Sequence, residues 1–137
     1  MYTLEQVREH AEDKDYILNA IKEDSLLIEG ASEAIRDDKG IVMEAVAKDG
    51  GALEFASDRL KDDRDILMKA VETKGWVICY ASERLRKDKE LILKAAQKDG
   101  QILYYASKEI RDDDEVVMAA VKNKGLILKY ASKRLRS

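Results

Sequence analysis

The chain has no proline, 7 glycines, and only one each of cysteine, histidine, tryptophan and phenylalanine among 137 residues, and each shortage excludes something. Without proline, no ring interrupts a helix. Charged residues at 39% and hydrophobic ones at 45% then make an all-α chain the first expectation. A lone thiol, Cys79, cannot form an internal disulfide and fits a reducing compartment. The longest apolar run, Trp76 to Ala81, is far too short to cross a bilayer, and "MYTLEQVREH" has neither the basic start nor the apolar core of a signal peptide. The expectation is a cytoplasmic protein with no membrane partner, long enough to bury one core without disulfides or metals.

What is present is a repeat. Asp13, Asp38, Asp63, Asp88 and Asp113 each open a block of 25 residues, so that 13–37, 38–62, 63–87, 88–112 and 113–137 align without insertion or deletion, behind an N-terminal cap segment, 1–12. Position 1 of every block is an Asp suited to cap a helix. Position 3 is acidic in four of five, which favours the positive end of the helix dipole, and position 13 is Gly in four of five, a stop signal. A first helix is therefore expected over positions 2 to 11. Its apolar positions 4, 5, 6, 8 and 9 cover an arc of roughly 200° at ~100° per residue, which suits an inner helix stacked between neighbouring blocks.

A second helical segment follows, with positions 15, 16, 18, 19 and 23 as its apolar side. Position 22, held by Ala34, Arg59, Arg84, Glu109 and Arg134, would lie inside that arc on a continuous helix. Either the long side chains snorkel, or the helix restarts at the Ser of position 20, which can cap a short final turn; the restart is preferred. Alanine columns at positions 8 and 19 predict close helix approach. "TLEQ", Thr3 to Gln6, reads as a capping box opening a cap helix. The fold expected is an all-α array of tandem helical-hairpin repeats, a short α-solenoid of five units plus that cap helix.

The leading Asp, the apolar triplet, the Ala, the turn Gly, "YAS" and the following apolar-basic pair together resemble the tandem-repeat family catalogued as domain of unknown function 4116. The likeness spans residues 13–137, with block one departing at Ser25 and Gly30. It implies an α-solenoid-like array and supplies no activity. The blocks also resemble the leucine-rich variant repeat, less closely.

Nothing converges for catalysis. A pairing of Cys79 with His10 is conceivable, but no phosphate loop, nucleophile elbow or ligand cluster accompanies it, so no catalytic residue, cofactor or metal site is expected and the protein is read as non-enzymatic. The runs Asp37–Asp38, Asp62–Asp63 and Asp112 to Glu115 lack the Gly and distal Glu of a calcium loop and read as helix caps. The column Arg36, Lys61, Arg86, Arg111 and Arg136 could follow a phosphate backbone, yet an Asp stands two places after each internal copy, and offsetting that Asp and favouring the negative end of the second helix is the simpler role. A net charge of −3 also argues against nucleic acid as a partner.

Charge is uneven: −2 over residues 1–12, then −4, −2, +2, 0 and +3 over the five blocks. Acidic and basic ends permit self-association through the terminal repeats, an alternative in which the chain is a structural or self-assembling array; a basic C-terminal nucleic-acid surface (Lys122, Lys124, Lys129, Lys133) ranks below it. The outward positions 14 and 17 are the least alike among the blocks, and Trp76, Cys79, Gln101 and Tyr104 among them form the expected partner-binding ridge, with another protein as partner. The competing reading folds Trp76 down over the next repeat as packing. Phe55, Tyr80, Tyr105 and Tyr130 are expected to be mostly core.

Overall fold

Cap residues divide each of blocks one to four into three short pieces. The computed structural model describes residues 1–123. In chain order its α-helices are α1 (Leu4–Glu9), α2 (Lys14–Glu23), α3 (Glu33–Arg36), α4 (Lys39–Lys48), α5 (Asp58–Lys61), α6 (Arg64–Ala70), α7 (Lys89–Lys98), α8 (Lys108–Arg111) and α9 (Asp114–Asn123). The long first helices α2, α4, α6, α7 and α9 each start on the expected Asp, whose carboxylate accepts the N–H three residues on at 3.1–3.3 Å.

Asp24, Asp49 and Asp99, at position 12, end three of these helices in extended backbone and accept the N–H two residues on at 2.8–3.0 Å. They start six-residue 3₁₀ segments: Ser25–Gly30, Gly50–Phe55 and Gly100–Tyr105, with Gly75–Tyr80 in block three. The second segment is thus 3₁₀, not α. It breaks at an extended Ala-Ser pair, and Ser32, Ser57, Ser82 and Ser107 each accept the N–H of position 23 at 3.3 Å. The restart on Ser is what the chain does. It closes blocks one to four with one turn, α3, α5, Leu85–Lys87 or α8, and leaves Arg59 and Arg84 of position 22 exposed, off the core.

The blocks stack with the first helices inside. Positions 5 and 8 are buried in every block, and positions 16, 19 and 23 in blocks one to four. The position-13 glycine works by close approach, since no described residue has positive φ. A Cβ on Gly50 would stand 2.2 Å from the Ala70 carbonyl oxygen of the next block, and one on Gly75 would stand 2.3 Å from that of Ala95. The alanine column at position 8 is the surface against which the glycine column seats. Block one carries Ser25 there, buried.

Polar ties cross every described joint. The cation at position 2 reaches the capping Asp of the next block: Lys14 to Asp38 at 3.0 Å, Lys39 to Asp63 at 3.1 Å, Arg64 to Asp88 at 2.6 Å and Lys89 to Asp113 at 3.0 Å. This corrects one of the two roles given to the column of Arg36: the Asp is met by position 2, while the Arg36 Nε–H donates at 3.2 Å to the Ala31 carbonyl, at the negative end of its own block's second segment. Arg59 pairs with Asp37 at 2.9 Å and Arg84 with Asp62 at 3.0 Å, and the Ser57 and Ser82 hydroxyls donate to the same two carboxylates.

The cap helix α1 forms with both halves of its capping box, Gln6 N–H to Thr3 Oγ1 at 3.2 Å and Thr3 N–H to Gln6 Oε1 at 3.1 Å. Gly30 makes room for it. A Cβ there would come within 2.9 Å of Val7 Cγ1, so the block that meets the cap has glycine where the others have Phe or Tyr. Tyr2 packs edge-on at 5.1 Å, and His10 flat at 4.0 Å, on Tyr16. The expectations placed on Lys124, Leu126, Lys129, Tyr130, Ser132, Lys133, Arg134 and Arg136 lie outside the described residues. No helix among the described residues is long and apolar enough to cross a membrane.

Candidate functional site

On a 3₁₀ helix residues three apart eclipse one another. Positions 14 and 17 therefore share one outward face more strictly than on an α-helix, while 16 and 19 share the inward one. Trp76 and Cys79 stand on that face in block three, Gln101 and Tyr104 in block four, and the two segments pack side by side. Trp76 is 39% exposed, Tyr104 58%, and Gln101 is exposed, whereas Cys79 is half-buried.

Aromatic neighbours stiffen the patch. The Trp76 ring meets Tyr80 of its own block edge-on at 5.8 Å, and Tyr104 meets Tyr105 in the same manner at 5.2 Å. Lys61 Nζ stands 5.7 Å from the centroid of the Tyr80 ring, within cation–π range. Tyr105 corrects the expectation of a core column, since it is 37% exposed and joins the surface, while Phe55 and Tyr80 are half-buried. Its place beside Tyr104 in "YYAS" was the available signal.

Position 14 is exposed in block one as well, where Leu26 is 41% exposed. Leu26, at position 14, reaches over Gly51, with its Cδ2 3.7 Å from where a Cβ on Gly51 would stand. At block two position 14 is Gly51, buried and without a side chain, so the ridge is flat there and raised by rings at blocks three and four. Acids border the flat end: Glu29, tied to Arg8 at 3.4 Å, and exposed Glu54.

Burial pushes the Cys79 thiol up, so it is held away from the thiolate form. Burial, helped by the Glu54 charge, raises Tyr80 likewise. His10 lies on Tyr16 at the cap, its Nδ1 2.9 Å from the Gln6 carbonyl oxygen, two blocks from Cys79. The structure does not bring the two together as a nucleophile and base. The acidic runs are occupied by caps and cations: Asp37 lies low through the Ser57 hydroxyl and then Arg59, and Asp38 through Lys14 and then the Ile41 N–H.

The family model described as Domain of unknown function (DUF4116) matches residues 13–55, 38–86 and 88–136 in tandem. The chain belongs to this family. The matches follow the 25-residue period and, in the structure, the Asp-capped helix, 3₁₀ segment and Ser-capped turn of the unit. Neither the curated proteins nor the solved structures give a match.

Proposed function

We propose that the array is a non-enzymatic cytoplasmic scaffold that binds another protein through the ridge of Trp76, Cys79, Gln101 and Tyr104, extended by Tyr105. The observation that supports this reading is exposure of three large aromatic rings, Trp76, Tyr104 and Tyr105, on two adjacent segments whose remaining apolar positions are buried or half-buried. Rings braced edge-to-face lose little freedom on contact, and such rings are the usual anchors of a protein interface. The wall beneath them is rigid, because Ile78 and Leu103 are fully buried.

The test compares the wild-type chain with Trp76→Ala/Tyr104→Ala as bait, with helicity checked by circular dichroism. A partner retained by the wild type and lost by the double variant, but kept by Leu26→Ala, is the expected result. Equal retention by the double variant would refute the assignment of the ridge.

A further inference from the structure

The inner joints show what each block presents to the next. Position 2 reaches the acids at positions 1 and 3 of the following block, as Lys39 does to Asp63 and Asp65, both at 3.1 Å, and Glu72 at position 10 meets Lys94 of the following block at 3.0 Å. One edge of each first helix, running through positions 2, 6 and 10, therefore faces the block that follows. Position 6 on this edge is apolar throughout: Leu18, Met43, Met68 and Leu93 are half-buried against the core.

On α9 the same edge is Asp114, Met118 and Lys122, and it departs in two respects. Met118 is 57% exposed, unlike its four counterparts. Position 2, a cation in blocks one to four, is an acid, Asp114. A further block of the same kind would set its capping Asp against Asp114, like charge to like. The edge suits a different mate. Residues 114, 118 and 122 are spaced four apart and form one ridge, with acid at the helix N-terminus, an apolar centre and a cation at the C-terminal end. An antiparallel copy of the ridge is its own complement.

We infer that α9 pairs with α9 of a second copy about a two-fold axis, Met118 against Met118 and Asp114 against Lys122 at both ends. Beside this edge an open groove of about 570 Å³ runs between α7 and α9, lined by Leu93 and Ala119 among others; Ala119 stands where Lys94 bridges the preceding joint. Such an isologous contact closes at two chains, so it builds a dimer and not a fibre. It leaves the Trp76 ridge free and does not depend on that ridge's function.

The experiment is the solution mass of the full chain by sedimentation over a concentration series. A dimer of twice 15.5 kDa is expected, with Met118→Asp monomeric at every concentration and unchanged in helicity. Asp114→Lys restores the residue type of the other four blocks and should fold, yet it sets Lys against Lys122 and should be monomeric alone. Lys122→Asp should also be monomeric alone, and the two mixed should form a one-to-one dimer. A wild-type chain that stays monomeric, one that grows beyond two copies, a dimer that Met118→Asp leaves intact, or a mixture that does not reassemble would each overturn the inference.

Discussion

Gly75→Ala and Gly40→Ala should change stability in opposite directions, although both are Gly→Ala at negative φ. At such a φ, alanine ordinarily stabilises by about 0.4–1 kcal/mol, because the unfolded chain has fewer conformations to lose. Gly40 lies exposed in the first turn of α4, and a Cβ there meets nothing nearer than Asp38 Oδ1 at 3.4 Å. It should follow the rule, raising the melting temperature by ~2–4 °C. A Cβ on Gly75 would stand 2.3 Å from the Ala95 carbonyl oxygen, 3.0 Å from Lys98 Cβ and 3.1 Å from the Asp99 nitrogen. Two of those atoms are backbone, in and just beyond α7, so the blocks must separate by about 1 Å to reach ordinary contact. Overpacking of this kind costs roughly 1–3 kcal/mol, and set against the entropic gain it should lower the melting temperature by up to ~10 °C. Thermal and urea unfolding of the two variants beside the wild type measure both signs. A Gly75→Ala stabilised like Gly40→Ala would show that blocks three and four do not approach as described.

The remaining predictions concern titration and reactivity. Asp37 and Asp62 lie below the ordinary carboxylate range, through the Ser57 and Ser82 hydroxyls first and Arg59 and Arg84 next. Their contribution is therefore full above the unfolded value of about 3.9 and is lost as pH falls through the lower folded value. Asp37→Asn/Asp62→Asn should be less stable at pH 7 and lose less between pH 5 and pH 2; acid limbs of equal slope would contradict the locks. Burial raises the Cys79 thiol, so iodoacetamide should alkylate it several-fold more slowly at pH 7.5 in the folded chain than in urea. Equal rates would place Cys79 in open solvent.

The parts of this fold that depend on residues close in sequence were legible from it. Asp13 and its counterparts, the Ser of position 20 and Thr3 act on N–H groups three residues away, and a 25-residue period repeats each signal. Asp24, Asp49 and Asp99 use chemistry just as local, but Lys74 and Lys124 interrupt the column and hid it. Contacts between blocks were harder to read. Gly50 looks like a stop signal until Ala70 is placed beside it, and Gly30 looks like a defect until Val7 occupies the space. At the ridge, outward positions 14 and 17 could be found because they vary, and both an α-helix and a 3₁₀ helix set them on one side.

The joints also make the blocks non-interchangeable, which a uniform period conceals. Asp37 and Asp62, at position 25, receive Arg59 and Arg84 from position 22 of the next block. At the third joint both signs reverse: position 25 is Lys87 and position 22 is Glu109. The Glu109 carboxyl is held low by its own backbone N–H, then by the Ser107 hydroxyl, with the Lys87 charge adding to both. Block four moved up one place would set Glu109 against Asp62, like charge to like. Exposed pairs of this kind contribute little stability each, but a mismatched order replaces attraction with repulsion, so their effect is on specificity. Block one has Ala34 at this position, where the joint is with the cap helix and no such pair is made. The apolar columns make stacking favourable in any order, and the charges keep block four behind block three, whose Lys87 is the one cation among the position-25 residues of blocks one to four.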